Sequence, residues 1–215
     1  MTNPDLSLIA ALLDRSGSMQ SIADDMRGGF DAYLAGERTQ TGRTVVTLAQ
    51  FDDRYQLVYQ NRPVAEVPPL TLEPRGTTAL LDAIGRFITE VGSGLAALPE
   101  DDRPGDVTVL EMTDGMENAS KEWTKDAVQQ LVSQQENAYS WDFVFLGANM
   151  DAVDVGTDLG FAPGKSLTYD ASPAGVSGAF SSVAAYRQRR RASPSAGSVA
   201  FDDEDRNRAN PRRGA

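Results

Sequence analysis

Apolar residues occur along this chain in two patterns, as short segments rich in them and as longer segments in which they recur every three or four positions. The short segments over residues 6–13, 106–112 and 141–146, although each includes polar residues, are typical of strands buried on both faces of a sheet. Residues 19–36 have apolar side chains at helical spacing, which predicts an amphipathic helix. This alternation of strand and helix favours an α/β fold, with a mostly parallel sheet covered by helices on both faces.

The other segments fit the same architecture. Residues 44–51 and 55–59 flank the short polar turn 52–54, which predicts a hairpin and therefore one antiparallel edge strand. The helix expected at 78–98 contains Gly92 and Gly94, so we expect it to be weakened or broken there. Further predictions are an ordered loop over 61–74, a helix over 123–136, a short helix from Asp151, an edge strand over 166–169, and a helix over 172–191 that Ser172 and Pro173 begin.

The composition of the 215 residues excludes several kinds of site. Cysteine and histidine are both absent, which excludes disulfides, zinc fingers, a thiol nucleophile and a Ser-His-Asp triad. No run approaches the roughly 20 apolar residues of a membrane helix, and residues 1–5 do not resemble a secretory signal. We therefore expect a cytoplasmic protein. The net charge of −11 argues against binding to nucleic acid or to acidic membranes.

The composition of the chain changes after the last predicted helix. We expect one domain over residues 1–191, and a disordered tail over 192–215, which has few apolar residues. The basic run 187–191 looks like a nucleic-acid patch in isolation. Because it falls at a helix C-terminus and precedes the acidic segment 202–205, we interpret it as structural.

Hydroxyl and carboxyl groups stand at the ends of the predicted central strands. Asp14, Ser16 and Ser18 follow the first strand, Asp114 follows another, and Thr78 precedes a helix. Ligands of such sheets bind at the carboxyl ends of the strands. Two carboxylates and three hydroxyls form an oxygen-only shell that suits Mg²⁺, with Mn²⁺ or Ca²⁺ as alternatives. So few protein ligands leave a position for water or for an oxygen of a partner.

Three motifs resemble those of the von Willebrand factor type A (vWA) domain and its metal-ion-dependent adhesion site (MIDAS). Residues 13–19 resemble the Asp-x-Ser-x-Ser motif, residues 75–83 the glycine-glycine-threonine loop, and residues 110–115 the Thr-Asp-Gly loop. The resemblance spans about residues 6–170 and implies a Rossmann-like vWA fold of the intracellular bacterial or phage type.

The resemblance also implies a role for each ligand. Ser16, Ser18 and the threonine would coordinate the ion directly, and Asp14 and Asp114 largely through water. Thr77 stands where the family usually has a second glycine, so Thr77 and Thr78 compete for the threonine role, and we prefer Thr78 for its spacing to the following helix.

The leading functional hypothesis is a binding module rather than an enzyme. A carboxylate of a protein partner would complete the coordination of the ion, and the resemblance implies a role in complex assembly or with an AAA+ ATPase. It also implies that ion occupancy is coupled to the helix over 172–191. The alternative is a metal-dependent phosphoesterase with Mg²⁺ as Lewis acid. An aspartyl-phosphate version, with Asp14 as nucleophile, fits poorly because Ser16 stands where such enzymes have a second aspartate.

Overall fold

A six-stranded sheet forms the centre of the molecule. The structure is a computed structural model that describes residues 2–193 and 199–211. The sheet has the order β3-β2-β1-β4-β5-β6. Its strands are β1 (Asn3–Asp14), β2 (Arg43–Phe51), β3 (Tyr55–Pro63), β4 (Pro104–Thr113), β5 (Asp142–Ala148) and β6 (Ser166–Tyr169).

Strand direction and register bring the ends of the central strands together. All neighbouring pairs are parallel except β2 and β3, which form the predicted antiparallel hairpin. Leu13 of β1 lies opposite Met112 of β4, so Asp14 lies beside the end of β4. The predicted fold class is confirmed: the sheet is mostly parallel, with one antiparallel edge strand.

In the described part of the chain, six α-helices cover the sheet, and each face has its own apolar core. Alternate residues of β1 divide between the cores: Ile9 and Leu13 pack with α1 and α5, and Leu8 and Leu12 pack with α2 and α3. The helices are α1 (Ala23–Glu37), α2 (Leu80–Ala96), α3 (Lys125–Tyr139), α4 (Ala152–Asp158), α5 (Pro173–Ala192) and α6 (Asp203–Ala209). A 3₁₀ turn over Gly17–Ile22 precedes α1, so the first helix begins later than the sequence pattern predicted.

Two predictions about single elements need correction. The helix α2 runs unbroken through Gly92 and Gly94, although we expected it to be weakened or broken there. Its buried stripe, which includes Phe87 and Val91, packs against the sheet. That packing outweighs the cost of about 1 kcal/mol for each glycine in a helix. The loop expected at 61–74 also starts later, since β3 continues to Pro63.

The prediction of a disordered tail is wrong for residues 199–211. Phe201 is buried against Tyr186 of α5, and the Ala209 carbonyl accepts a hydrogen bond from the Asp170 amide at 2.9 Å. Asp202 and Asp205 form a capping box at the start of α6. A few apolar residues are enough to order this segment because they pack against surfaces formed by α5 and β6. The rest of the predicted tail that follows α5, residues 194–198 and 212–215, lies outside the described residues.

None of the helices in the described residues has both the length and the apolar character needed to cross a membrane.

Candidate metal centre

The five predicted ligand residues meet at the carboxyl edge of the sheet. Asp14 ends β1 and Asp114 follows β4 directly. Ser16 and Ser18 lie on the loop and 3₁₀ turn that follow β1, and Thr78 lies just before α2. This arrangement follows from the parallel pairing of β1 with β4.

Backbone hydrogen bonds hold the loop of Thr78 against the loop of the two serines. The Gly17 amide donates to the Gly76 carbonyl at 3.2 Å, and the Arg75 amide donates to the Arg15 carbonyl at 2.8 Å. Gly76 has a φ of +68°, in the left-handed region that favours glycine. The turn at Gly76 thus directs the following residues toward the serine loop.

The oxygen atoms of the cluster lie within a few ångströms of one another. Ser16 Oγ and Ser18 Oγ are 3.0 Å apart, and the Ser18 hydroxyl donates to Asp114 Oδ1 at 2.5 Å. A Cβ atom placed on Gly115 would lie 3.0 Å from Thr78 Oγ1, 3.3 Å from Ser18 Oγ and 3.7 Å from Ser16 Oγ. Three hydroxyls therefore surround one small region that a side chain at position 115 would fill.

The two adjacent threonines have different environments. Thr78 is buried and its hydroxyl faces the cluster, whereas Thr77 is exposed. The structure thus brings Thr78, the residue preferred from its spacing, to the serines.

Asp14 is held in place by two hydrogen bonds. Its Oδ1 accepts from the Ser16 amide at 2.6 Å, and its Oδ2 accepts from the Thr113 hydroxyl at 2.5 Å. Thr113 was not among the predicted site residues. The signal that could have found it is the Thr-Asp-Gly loop itself, in which Thr113 precedes Asp114.

Burial makes the carboxylates of the cluster costly to ionise. It raises the pKa of Asp14 to about 6, against the lowering effect of the Thr113 hydrogen bond, and it also raises the pKa of Asp114. No lysine or arginine among the described residues is ion-paired with either one. The nearby cations Arg15 and Arg75 instead contact Asp52, at 3.0 and 2.8 Å.

Sequence reasoning also missed Glu111, which lies on β4 beneath the cluster. Its carboxyl group is fully buried, and both oxygens lack a hydrogen-bond partner. Burial, followed by the nearby charge of Asp14, raises the pKa of Glu111 well above its usual value. The signal in the sequence was a carboxyl residue between the apolar residues Leu110 and Met112 of a predicted buried strand.

The donor set fits a small divalent cation. Mg²⁺ takes oxygen ligands at 2.0–2.1 Å in octahedral geometry, which puts neighbouring ligand oxygens about 3 Å apart. The separation of 3.0 Å between Ser16 Oγ and Ser18 Oγ has this value. Two carboxylates without cationic partners would balance the charge of the ion.

Comparison with solved structures decides the fold family. The vWF domain of the type V pili tip protein Mfa5 from Porphyromonas gingivalis aligns with 88% of this chain and 96% of its own, at 10% identity and a TM-score of 0.60. A von Willebrand factor type A structure from Catenulispora acidiphila aligns with 86% of this chain and 42% of its own, at 13% identity and a TM-score of 0.56. The chain has the von Willebrand factor type A fold.

A further vWA neighbour contains a metal. Proximal thread matrix protein 1 from the mussel byssus, in a form with a zinc-occupied MIDAS motif, aligns with 83% of this chain and 44% of its own, at 17% identity and a TM-score of 0.57. The chain spans less than half the length of the mussel structures that it matches. No protein-family model and no curated protein matches the sequence.

Proposed function

We propose that this vWA domain binds a divalent cation, Mg²⁺ in the cell, and uses it to capture a carboxylate of a protein partner. One observation carries the proposal: three hydroxyls converge on a single region beside two buried carboxylates that have no cationic partner among the described residues. The zinc-occupied MIDAS motif of the mussel protein supports a divalent ion.

Each residue of the cluster has a distinct task in this proposal. The hydroxyls of Ser16, Ser18 and Thr78 hold the ion, and Asp14 and Asp114 balance its charge. Neutral hydroxyl ligands leave the bound ion electrophilic, so it would accept an anionic oxygen from a partner. The Ser16 amide and the Thr113 hydroxyl fix the Asp14 carboxylate beside the ion.

The same two hydrogen bonds support a binding module over a phosphoesterase that uses Asp14 as nucleophile. Both oxygens of Asp14 are engaged by donors, which lowers their nucleophilicity. Arg15 and Arg75, the cations that could have oriented a phosphate, contact Asp52 instead. The expected AAA+ ATPase partner and the cytoplasmic location stay predictions.

Capture of partners with and without the cation tests the proposal. The immobilised protein is exposed to native extract in Mg²⁺ or in EDTA, and the Mg²⁺-dependent proteins are identified by mass spectrometry. Capture should be lost in EDTA and with Asp14→Asn, and retained with Thr77→Val, which changes an exposed neighbour. For each captured protein, neutralising its acidic contact residue should abolish binding. Capture that is indifferent to EDTA and to Asp14→Asn would refute the proposal.

A further inference from the structure

The loop that follows Asp114 makes several hydrogen bonds to the segment that contains Thr78 and to the start of α2. This loop, residues 115–124, has no regular secondary structure. Asn118 contacts Thr78 twice: its Oδ1 accepts from the Thr78 amide at 3.0 Å, and its own amide donates to the Thr78 carbonyl at 3.0 Å. The peptide groups on both sides of Thr78 are therefore fixed by one residue that lies four positions after Asp114.

Glu117 extends this connection to the first turn of α2. Its Oε2 accepts from the Leu81 amide at 2.9 Å and from the Ser120 hydroxyl at 2.7 Å, and its Oε1 accepts from the amides of Ala119 and Ser120 at 2.9 and 2.8 Å. These bonds lower the pKa of Glu117 despite its partial burial, so the side chain is ionised at neutral pH.

The helix α2 needs these contacts because its own sequence does not cap it. Ala79 stands at the N-cap position and has no side-chain acceptor. Glu117 accepts from Leu81, and the Ser120 hydroxyl accepts from the Asp82 amide at 3.0 Å. The loop after Asp114 thus supplies the cap that an N-terminal Ser, Thr, Asp or Asn usually provides.

Asp82 of α2 holds the loop in return. Its carboxylate accepts from the amides of Lys121, Glu122 and Trp123, at 2.8 to 2.9 Å. The ring of Trp123 lies directly against Gly85, where a Cβ atom would overlap it. The loop and the start of α2 therefore form one body, held by hydrogen bonds in both directions.

We propose that Asn118 and Glu117 are positioning residues of the metal centre, which fix the distance between the Thr78 hydroxyl and Asp114. The inference rests on the proposed function. Thr78 lies in a segment without regular secondary structure, and Asp114 begins the loop that reaches back to it. Any displacement of Asn118 moves Thr78 relative to Asp114, and so changes the geometry offered to the cation.

Metal affinity of the folded protein tests this inference, with Mn²⁺ as the probe in titration calorimetry. Asn118→Leu removes the acceptor for the Thr78 amide and should weaken Mn²⁺ binding about 10- to 100-fold, as substitutions behind metal ligands do. Asn118→Asp keeps an oxygen acceptor and should restore the affinity to within a few-fold. Asn137→Leu, at an exposed position on α3, should leave it unchanged.

A second readout needs no metal. In EDTA, the Thr78 amide should be protected from hydrogen exchange in the wild type, and should exchange at least tenfold faster in Asn118→Leu. If that variant does not fold, Glu117→Gln takes its place, with a several-fold loss of Mn²⁺ affinity expected.

The outcomes separate the inference from the function on which it rests. If Asn118→Leu, or Glu117→Gln where it is used instead, binds Mn²⁺ as tightly as the wild type, the inference is overturned but the proposed function is not. The loop would then contribute only to stability. Wild-type protein that binds no Mn²⁺ would overturn both.

Discussion

Two clusters of charged residues, each with fully buried members, lie at the carboxyl ends and at the amino ends of the parallel strands. We call these the carboxyl edge and the amino edge of the sheet, and the clusters differ in how their charge is balanced. The carboxyl-edge cluster consists of Asp14, Asp114 and Glu111. No cation of the described residues is ion-paired with any of them. The amino-edge cluster, by contrast, contains acidic residues that are paired with arginines and a lysine: Glu37, Asp106 and Asp142 with Lys165, Arg187, Arg190 and Arg191.

The amino-edge cluster joins α5 to the sheet and to α1. Arg187 is fully buried, with its Nε 3.3 Å from Glu37 Oε1 and its Nη1 donating to Thr108 Oγ1 at 2.5 Å. Arg190 contacts Asp106 at 3.1 Å and Asp142 at 3.2 Å. These contacts account for most of the basic run 187–191, which therefore lies against the protein's own acidic residues.

The two clusters differ in what can compensate the buried charge of their carboxylates. A buried carboxylate paired with arginine is satisfied within the fold, whereas an unpaired one carries a desolvation cost that a bound cation would relieve. The two edges therefore predict opposite responses to substitution. Removing charge should destabilise the amino edge, and should stabilise or spare the carboxyl edge when no metal is present.

The largest effect is expected at the amino edge. Arg187→Met should lower the free energy of unfolding by on the order of 3 kcal/mol, because it removes the buried cation that contacts Glu37 and donates to Thr108 Oγ1. Urea denaturation in EDTA measures this loss. The matched control Lys125→Gln, which breaks an exposed pair with Asp158, should cost less than 1 kcal/mol. Equal losses of unfolding free energy in Arg187→Met and Lys125→Gln would show that the buried contacts of Arg187 stabilise the fold no more than an exposed ion pair does.

The next largest effect is a gain in stability on metal binding, which depends on Asp14. Mg²⁺ at about 100 times its dissociation constant should raise the free energy of unfolding of the wild type by about 2.7 kcal/mol, and that of Asp14→Asn by close to zero. In EDTA above pH 6, Asp14→Asn should be at least as stable as the wild type. A variant that is strongly destabilised in EDTA would show that Asp14 is structural.

A smaller effect concerns pH and Glu111. Its pKa is higher in the folded protein than its usual value of 4.5, so the folded state holds the proton more tightly. The stability contributed by this group is complete below about pH 4.5 and is lost as the pH rises toward the folded pKa. Relative to Glu111→Gln, the wild type should therefore lose stability in EDTA as the pH rises above about 4.5. A constant difference across this range would contradict the assignment.

The sequence predicted the carboxyl edge better than the amino edge, for a physical reason. Asp14, Ser16 and Ser18 are close together in the chain, and Asp114 stands at the end of an obvious strand, so short-range patterns placed them. Arg187 and Glu37 are 150 positions apart, and only the packing of α5 on α1 brings them together.

The packing of residues 199–211 and the contacts of the loop after Asp114 could not be predicted, for the same physical reason. Phe201 is a single apolar residue in a polar segment, and its burial depends on a site formed by α5. Glu117 caps its helix through the amide of Leu81, which lies 36 positions earlier, so no local capping signal exists. Contacts that close long loops have no signature in nearby sequence.

We expect one divalent cation to bind where the hydroxyls of Ser16, Ser18 and Thr78 meet Asp14 and Asp114. Mn²⁺ titration of Thr78→Val and Thr77→Val tests it most directly, since the two substitutions are chemically identical and adjacent in the chain. Thr78→Val should weaken Mn²⁺ binding at least tenfold, whereas Thr77→Val should bind Mn²⁺ like the wild type. Equal affinity in the two variants, or a loss in Thr77→Val alone, would contradict it.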